Sequence, residues 1–227
     1  MKKVVLITGG ASGLGVAIAS TLSPAHSVVI LDRRLVDCKR AAKEVKADYI
    51  VADITKPAAV TAAIAKVIKK YGRLDVVINN AGIWAEGKLE SNDFVTIAKV
   101  IQVNTLGTMY VTRAVVPQLK KQASGLIINV ISQAGIQAKT DRSVYYASKW
   151  AITGFTKCLQ KELGESGVRV IGLYPGKMHT PLFSRAGFPK KLTNAIDPRE
   201  TARLVNFIVD SPDTVNFPEL GICHQND

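Results

Sequence analysis

Six short runs rich in valine, isoleucine and leucine punctuate this chain, and several are apolar from end to end rather than at alternate positions. They are Val4–Thr8, Ser27–Leu31, Tyr49–Val51, Leu74–Asn79, Leu126–Ile131 and Arg169–Tyr174. A strand with one wet face shows a period of two. An uninterrupted apolar run needs cover on both faces, which is the condition of a parallel sheet. Between the runs lie stretches at helical spacing: Gly13–Leu22, Leu35–Val45, Pro57–Tyr71, Ile97–Leu119, Ser143–Leu163 and Pro198–Val209. Pro57 and Pro198 stand where a first helical turn accepts proline, with Thr55 and Asp197 as the expected caps before them. The sustained alternation predicts an α/β fold, a Rossmann-like doubly wound parallel sheet flanked by helices on both faces. A late strand near Val215–Leu220 would finish the sheet. With 227 residues, 47% of them hydrophobic, residues 1–227 fit one domain. The irregular stretch 180–194 contains Pro181, Gly187 and Pro189. It follows the carboxyl end of a strand, where such sheets bind ligands, and is expected to serve as a substrate loop.

The first strand runs into Thr8-Gly9-Gly10-Ala11-Ser12-Gly13-Leu14-Gly15 and then a helix. Gly9 permits the tight turn, Gly13 lets backbone approach a pyrophosphate, and Gly15 permits close helix–strand packing, with Ser12 and Leu14 completing the loop. The helix amino terminus offers unpaired N–H groups and a partial positive charge to phosphates. Taken alone, the loop also describes an ordinary strand–helix turn, the lesser of the two readings. Asp32 ends the second strand about twenty residues on, where a carboxylate accepts hydrogen bonds from an adenosine ribose. A carboxylate repels a 2′-phosphate, so Asp32 argues for NAD; Arg33 and Arg34 offer that phosphate a partner, which keeps NADP as the alternative. Asp53 and Ile54, after the third strand, are placed at the adenine edge, although Asp53 also suits a turn.

At this point the chain resembles the short-chain dehydrogenase/reductase family. Thr8–Gly15 resembles its TGxxxGxG signature, and Asn79-Asn80-Ala81-Gly82 its NNAG segment. Asn104 resembles the helix asparagine, Ser132 the serine after the fifth strand, and Tyr145-Tyr146-Ala147-Ser148-Lys149 the YxxxK motif. Pro175-Gly176 with Thr180 resembles the segment after the sixth strand. The motifs run in order from about Val4 to Thr180. The resemblance implies an NAD(P)-dependent enzyme interconverting an alcohol and a carbonyl, a small-molecule substrate, and catalytic roles for Asn104, Ser132, Tyr145 and Lys149. Tyr145 would be the general acid/base. Lys149 would hold the nicotinamide ribose and lower the tyrosine pKa. Ser132 would bond the substrate oxygen, and Asn104 would support a proton relay. Asn80, Ala81 and Gly82 would line the adenosine side, and Pro175, Gly176, Met178 and Thr180 the nicotinamide. Physical chemistry supports these roles. Tyr145 and Lys149 stand at i and i+4 on one helix face. A free tyrosine ionises near pH ~10, and a nearby ammonium favours its phenolate. Tyr146 is the rival tyrosine, but four residues on it meets Trp150, which carries no charge. Trp84, Ile136, Tyr146, Met178, Leu182 and Phe183 are expected to wall the substrate pocket. A departure is Ile131, where relatives often carry serine.

Thirty basic residues against 18 acidic ones give a formal charge of +12. The lysines are scattered, as in Lys39, Lys43, Lys66, Lys120, Lys190 and Lys191, which reads as solvated helix faces rather than a nucleic-acid site. Three cysteines (Cys38, Cys158, Cys223) and three histidines (His26, His179, His224) are far apart, so neither a disulfide framework nor a metal site is expected. No apolar run approaches the ~20 residues that span a bilayer, and MKKVVLITGG is too short in its apolar part for a leader. A cytoplasmic homodimer or homotetramer is expected, a dimer pairing through Ile97–Leu119 and Ser143–Leu163. Two alternatives differ in kind: a non-catalytic dinucleotide sensor or scaffold, and, as a subtype of the enzyme, a 3-oxoacyl thioester reductase.

Overall fold

The computed structural model describes residues 2–189 and 191–226; Met1, Lys190 and Asp227 lie outside the described residues. Seven strands form one parallel sheet in the order β3-β2-β1-β4-β5-β6-β7. They are β1 (Val4–Thr8), β2 (Ser27–Asp32), β3 (Asp48–Val51), β4 (Val76–Asn79), β5 (Gly125–Val130), β6 (Val168–Pro175) and β7 (Glu219–Ile222). The helices are α1 (Gly13–Leu22), α2 (Leu35–Val45), α3 (Pro57–Tyr71), α4 (Phe94–Ile101), α5 (Thr108–Gln122), α6 (Ser143–Leu163), α7 (Leu182–Arg185) and α8 (Pro198–Asp210).

Alternate residues along the central strands feed opposite cores, which is why these strands carry no polar face. Val5, Ile7, Val28, Ile30, Val76 and Ile78 pack with residues of α1, α2 and α8. Val4, Leu6, Val29, Leu31, Val77 and Ile127 pack with residues of α3, α5 and α6. From β1 the sheet grows one way to β2 and β3 and the other way to β4 and beyond. The loops after β1 and β4 therefore diverge at the strands' carboxyl ends and open the crevice in which such sheets bind ligands. No helix among the described residues is long and apolar enough to cross a membrane.

Three expectations shift. Thr55 does not cap α3: its N–H and hydroxyl both donate to Asp53 Oδ1, and Lys56 occupies the N-cap position without a side-chain bond. The last strand is Glu219–Ile222 rather than Val215–Leu220, because its register on β6 starts at Gly172 opposite Glu219, just after Pro218, which has no N–H to donate. The helix expected over Ile97–Leu119 begins at Phe94, where Asp93 accepts from Thr96 N–H, and runs to Gln122 with a π-helical turn at Gln102–Gly107.

Candidate active site

One cleft of about 1320 Å³ runs over the carboxyl ends of the strands. Its wall takes in Gly9, Ser12, Gly13, Leu14, Asp32, Arg33, Asp53, Ile54, Asn80, Ala81 and Gly82 at one end. At the other lie Ser132, Tyr145, Lys149, Pro175, Gly176, Met178 and Thr180. Such a volume exceeds the ~300–1,000 Å³ of ordinary small-ligand pockets, leaving room for a dinucleotide and a second molecule.

The glycine loop is shaped by contact as well as by torsion. Gly9 has φ +62°, and a Cβ there would stand 2.8 Å from Ala81 Cα. Gly13 has φ +54°, and a Cβ there would meet Thr180 and Pro181 at 3.3 and 3.5 Å. The asparagine segment locks this loop. Asn80 Nδ2 donates to the carbonyls of Thr8 and Gly9, while Thr8 Oγ1 accepts from the N–H groups of Asn80 and Ala81. Gly15 lies beneath the wall, with Gly9 O so close that no side chain fits. Asp32 Oδ1 accepts from Arg33 N–H. Arg34 pairs with Asp37 at 2.6 Å, so Arg33 is the arginine of the two without a side-chain partner among the described residues. Asp53 closes the turn described above while lining the cleft. The bare-backbone cradle at an α-helix amino terminus, with a carboxylate at the end of β2, fits a nicotinamide dinucleotide.

At the other end, Ser132 holds φ +133° and ψ 159°, a region that side chains rarely adopt. It stands two residues past the end of β5, and its Oγ accepts from Ala134 N–H. Tyr145 and Lys149 project from the first turns of α6, and both are buried. Lys149 Nζ donates to Val130 O at 3.1 Å and lies 5.8 Å from the Tyr145 ring centroid. Burial pushes the Tyr145 phenol well above its ordinary value, and a hydrogen bond with Ser132 pulls it back. Burial also pushes the Lys149 ammonium down, to about 8.

Asn104 sits in the π-helical turn, off the cleft wall. Its Oδ1 accepts from Ile83 N–H, and its Nδ2 donates to Ile83 O and Ser148 Oγ. A second polar ladder ties β4, β5, α5 and α6: Asn79 Nδ2 donates to Asn129 Oδ1 and Thr112 Oγ1, and Asn129 Nδ2 to Thr156 Oγ1. Trp84, Tyr146, Met178, Leu182 and Phe183 line the cleft as expected. Ile136 does not; it is half exposed beyond the short 3₁₀ turn after Ser132. Sequence reasoning missed Arg142, Gln133 and Arg185 on the wall. Arg142 stands three residues before Tyr145, a spacing that shares a helix face; Arg185 ends the short helix α7, inside a stretch whose sequence reads as irregular, and carried no signal.

The short chain dehydrogenase family model matches residues 3–188. An oxidoreductase of Staphylococcus saprophyticus, itself described as uncharacterised, is 33% identical, covering 97% of this chain and 96% of the relative. An alcohol dehydrogenase from the archaeon Thermococcus sibiricus, complexed with 5-hydroxy-NADP, superposes with a TM-score of 0.92 at 26% identity, covering 100% of this chain and 98% of that one. A 3-ketoacyl-(acyl-carrier-protein) reductase from Brucella melitensis, complexed with NADH, gives 0.91 at 29% identity, covering 98% and 97%.

Proposed function

We propose that this chain, which belongs to the short-chain dehydrogenase family and is an NAD(P)-dependent oxidoreductase of alcohol and carbonyl groups, uses Tyr145 as its general acid/base with Ser132 and Lys149 beside it. The observation that carries the reading is Ser132. A serine held at φ +133° beside a buried tyrosine–lysine pair is backbone strain stored where chemistry happens.

When bound, the nicotinamide supplies or takes the hydride. The Tyr145 phenol gives its proton to the developing alkoxide during reduction and takes one during oxidation. Ser132 donates to the same oxygen and stabilises its charge. Lys149, anchored on Val130 O, presents a positive charge that favours phenolate and holds the nicotinamide ribose. Asn104, its amide fully engaged, positions Ile83 and Ser148 rather than reaching the substrate. Gly9, Ser12, Gly13, Leu14 and Gly15 form the diphosphate cradle. Ile54, Asn80, Ala81 and Gly82 take the adenosine side, and Pro175, Gly176, Met178 and Thr180 the nicotinamide side. Asp32 favours NAD; Arg33 is the residue through which NADP would be accepted.

Residues 1–227 act as one domain in this reading, with 180–194 as the substrate loop. The compartment is cytoplasmic, which suits three free thiols, two of them exposed. A homo-oligomer is favoured by Phe94 and Val95, 90% and 75% exposed on α4, and by Trp150 on α6. The strain at Ser132 disfavours a mere dinucleotide sensor, and nothing on the wall singles out a thioester substrate.

The test is a side-by-side titration with NADH and NADPH, followed by turnover of an alcohol and carbonyl panel by the parent and Tyr145→Phe. Tighter NADH binding, reversed in Asp32→Ala, is expected, with turnover in Tyr145→Phe falling at least about a thousandfold while NADH still binds. Turnover in Tyr145→Phe within a few-fold of the parent would remove the acid/base assignment.

A further inference from the structure

We propose that Arg185 is a diphosphate clamp, which couples cofactor binding to the seating of the 180–189 segment over Tyr145. The inference rests on the dinucleotide reading above. Its starting point is a contact between parts of the chain 173 residues apart: Arg185 Nη1 donates to Ser12 Oγ. Ser12 is the N-cap residue of α1, yet its hydroxyl makes no capping bond to the helix. The guanidinium therefore rests beside the unpaired N–H groups of α1, where the fold places a pyrophosphate.

The rest of its environment leaves it free to turn to a phosphate. Arg185 Nη2 stands 4.0 Å from Asp37 Oδ2, whereas Arg34 and Arg40 hold the same carboxylate at 2.6 and 3.5 Å. Asp37 thus keeps partners when Arg185 leaves. A planar guanidinium offers two parallel donors to a diphosphate, a stronger partner than one neutral hydroxyl.

The same short helix also reaches the catalytic end. Phe183, two residues before Arg185, packs edge-on against Trp84 at 4.8 Å between centroids, and Trp84 packs on Tyr145 at 4.4 Å. The segment is pinned at its base, where Met178 bridges Ile196 and His179 N–H donates to Ile196 O. It also rests on the glycine loop, where Thr180 and Pro181 lie against the face of Gly13. A segment fixed at its root and carrying an arginine over the phosphate loop and a phenylalanine toward the tyrosine turns occupancy of one end into placement at the other.

The experiment uses Trp150→Phe as parent, which leaves Trp84 as the remaining indole of the chain's two. Adenosine, ADP and NADH are titrated into the parent, Arg185→Gln and Arg185→Lys, following Trp84 emission and, independently, heat. In Arg185→Gln, ADP and NADH are expected to bind about tenfold more weakly or worse, while adenosine stays within about twofold. ADP alone should shift Trp84 emission in the parent and not in Arg185→Gln, and Arg185→Lys should recover part of the affinity. Unchanged ADP affinity in Arg185→Gln, or an equal loss for adenosine, overturns the clamp. A parent that binds neither ADP nor NADH would instead overturn the dinucleotide reading itself.

Discussion

Lys149 is a charge held where water barely reaches: it is 5% exposed, and Val130 O is the hydrogen-bond acceptor it reaches. Burial alone pulls its pKa from the ordinary 10.5 to about 8. The sign of the linkage follows from which state holds the proton more weakly. Below pH 8 both folded and unfolded chains carry the proton, and the folded state bears the full cost of the buried charge. Between about 8 and 10.5 the folded chain has shed the proton and the unfolded chain has not, so stability rises with pH; above that window the cost is gone. Lys149→Met should therefore abolish turnover yet raise the stability of the cofactor-free protein by about 1–3 kcal/mol at pH 7, after the lost Val130 bond is counted. Paired urea unfolding curves at pH 7 and pH 10 test this. The gain must shrink at the higher pH; a variant equally or less stable at pH 7 would show that the ammonium carries no such cost. A residue that destabilises the resting protein and is kept beside a buried phenol is best explained by the charge it presents there.

At the scale of elements, the π-helical turn at Gln102–Gly107 sets the floor of the site. Asn104 satisfies both backbone groups of Ile83 and the hydroxyl of Ser148, whose neighbour is Lys149. Asn104→Ala strips partners from three buried or half-buried groups at once. A loss of about 2–4 kcal/mol in urea unfolding is expected; a loss below about 0.5 kcal/mol would mean the turn is held by something else. The turn also marks where sequence reasoning reached its limit. Strand positions were legible because apolar runs reflect burial on two faces, and the ends of α1, α2, α3 and α6 matched the expected ranges because glycine, proline and periodicity mark them locally. Asn104 could be singled out by motif, but the insertion that makes a π turn depends on Ile83 and Ser148, which are 21 and 44 residues away. Arg185 was invisible for the same reason: its meaning is a contact with Ser12, and no local pattern encodes a partner 173 residues off. Ile136 failed in the opposite direction, because it looked like a pocket wall until the turn after Ser132 carried it outward.

Across the whole molecule, the scattered basic charge turns out to be concentrated in one respect. Among the described residues lining the cleft, ten are lysine or arginine and two, Asp32 and Asp53, are acidic. Of the lysines named above as solvating, Lys191 is among these ten, and together they set up a field focused by a low-dielectric cleft. That field acts on any anionic ligand before contact is made, and screening weakens it over about 10 Å at 0.1 M salt. Raising KCl from about 0.02 to 0.5 M should weaken NADH binding by about tenfold, chiefly through slower association. Stopped-flow quenching of tryptophan emission separates the two rate constants. Salt must lower the association rate and leave dissociation nearly unchanged, because dissociation is governed by short-range contacts in the cradle. Flat association rates across that range would mean the ten charges are neutralised by local pairs such as Arg34 with Asp37, and that the excess of +12 acts only at the outer surface.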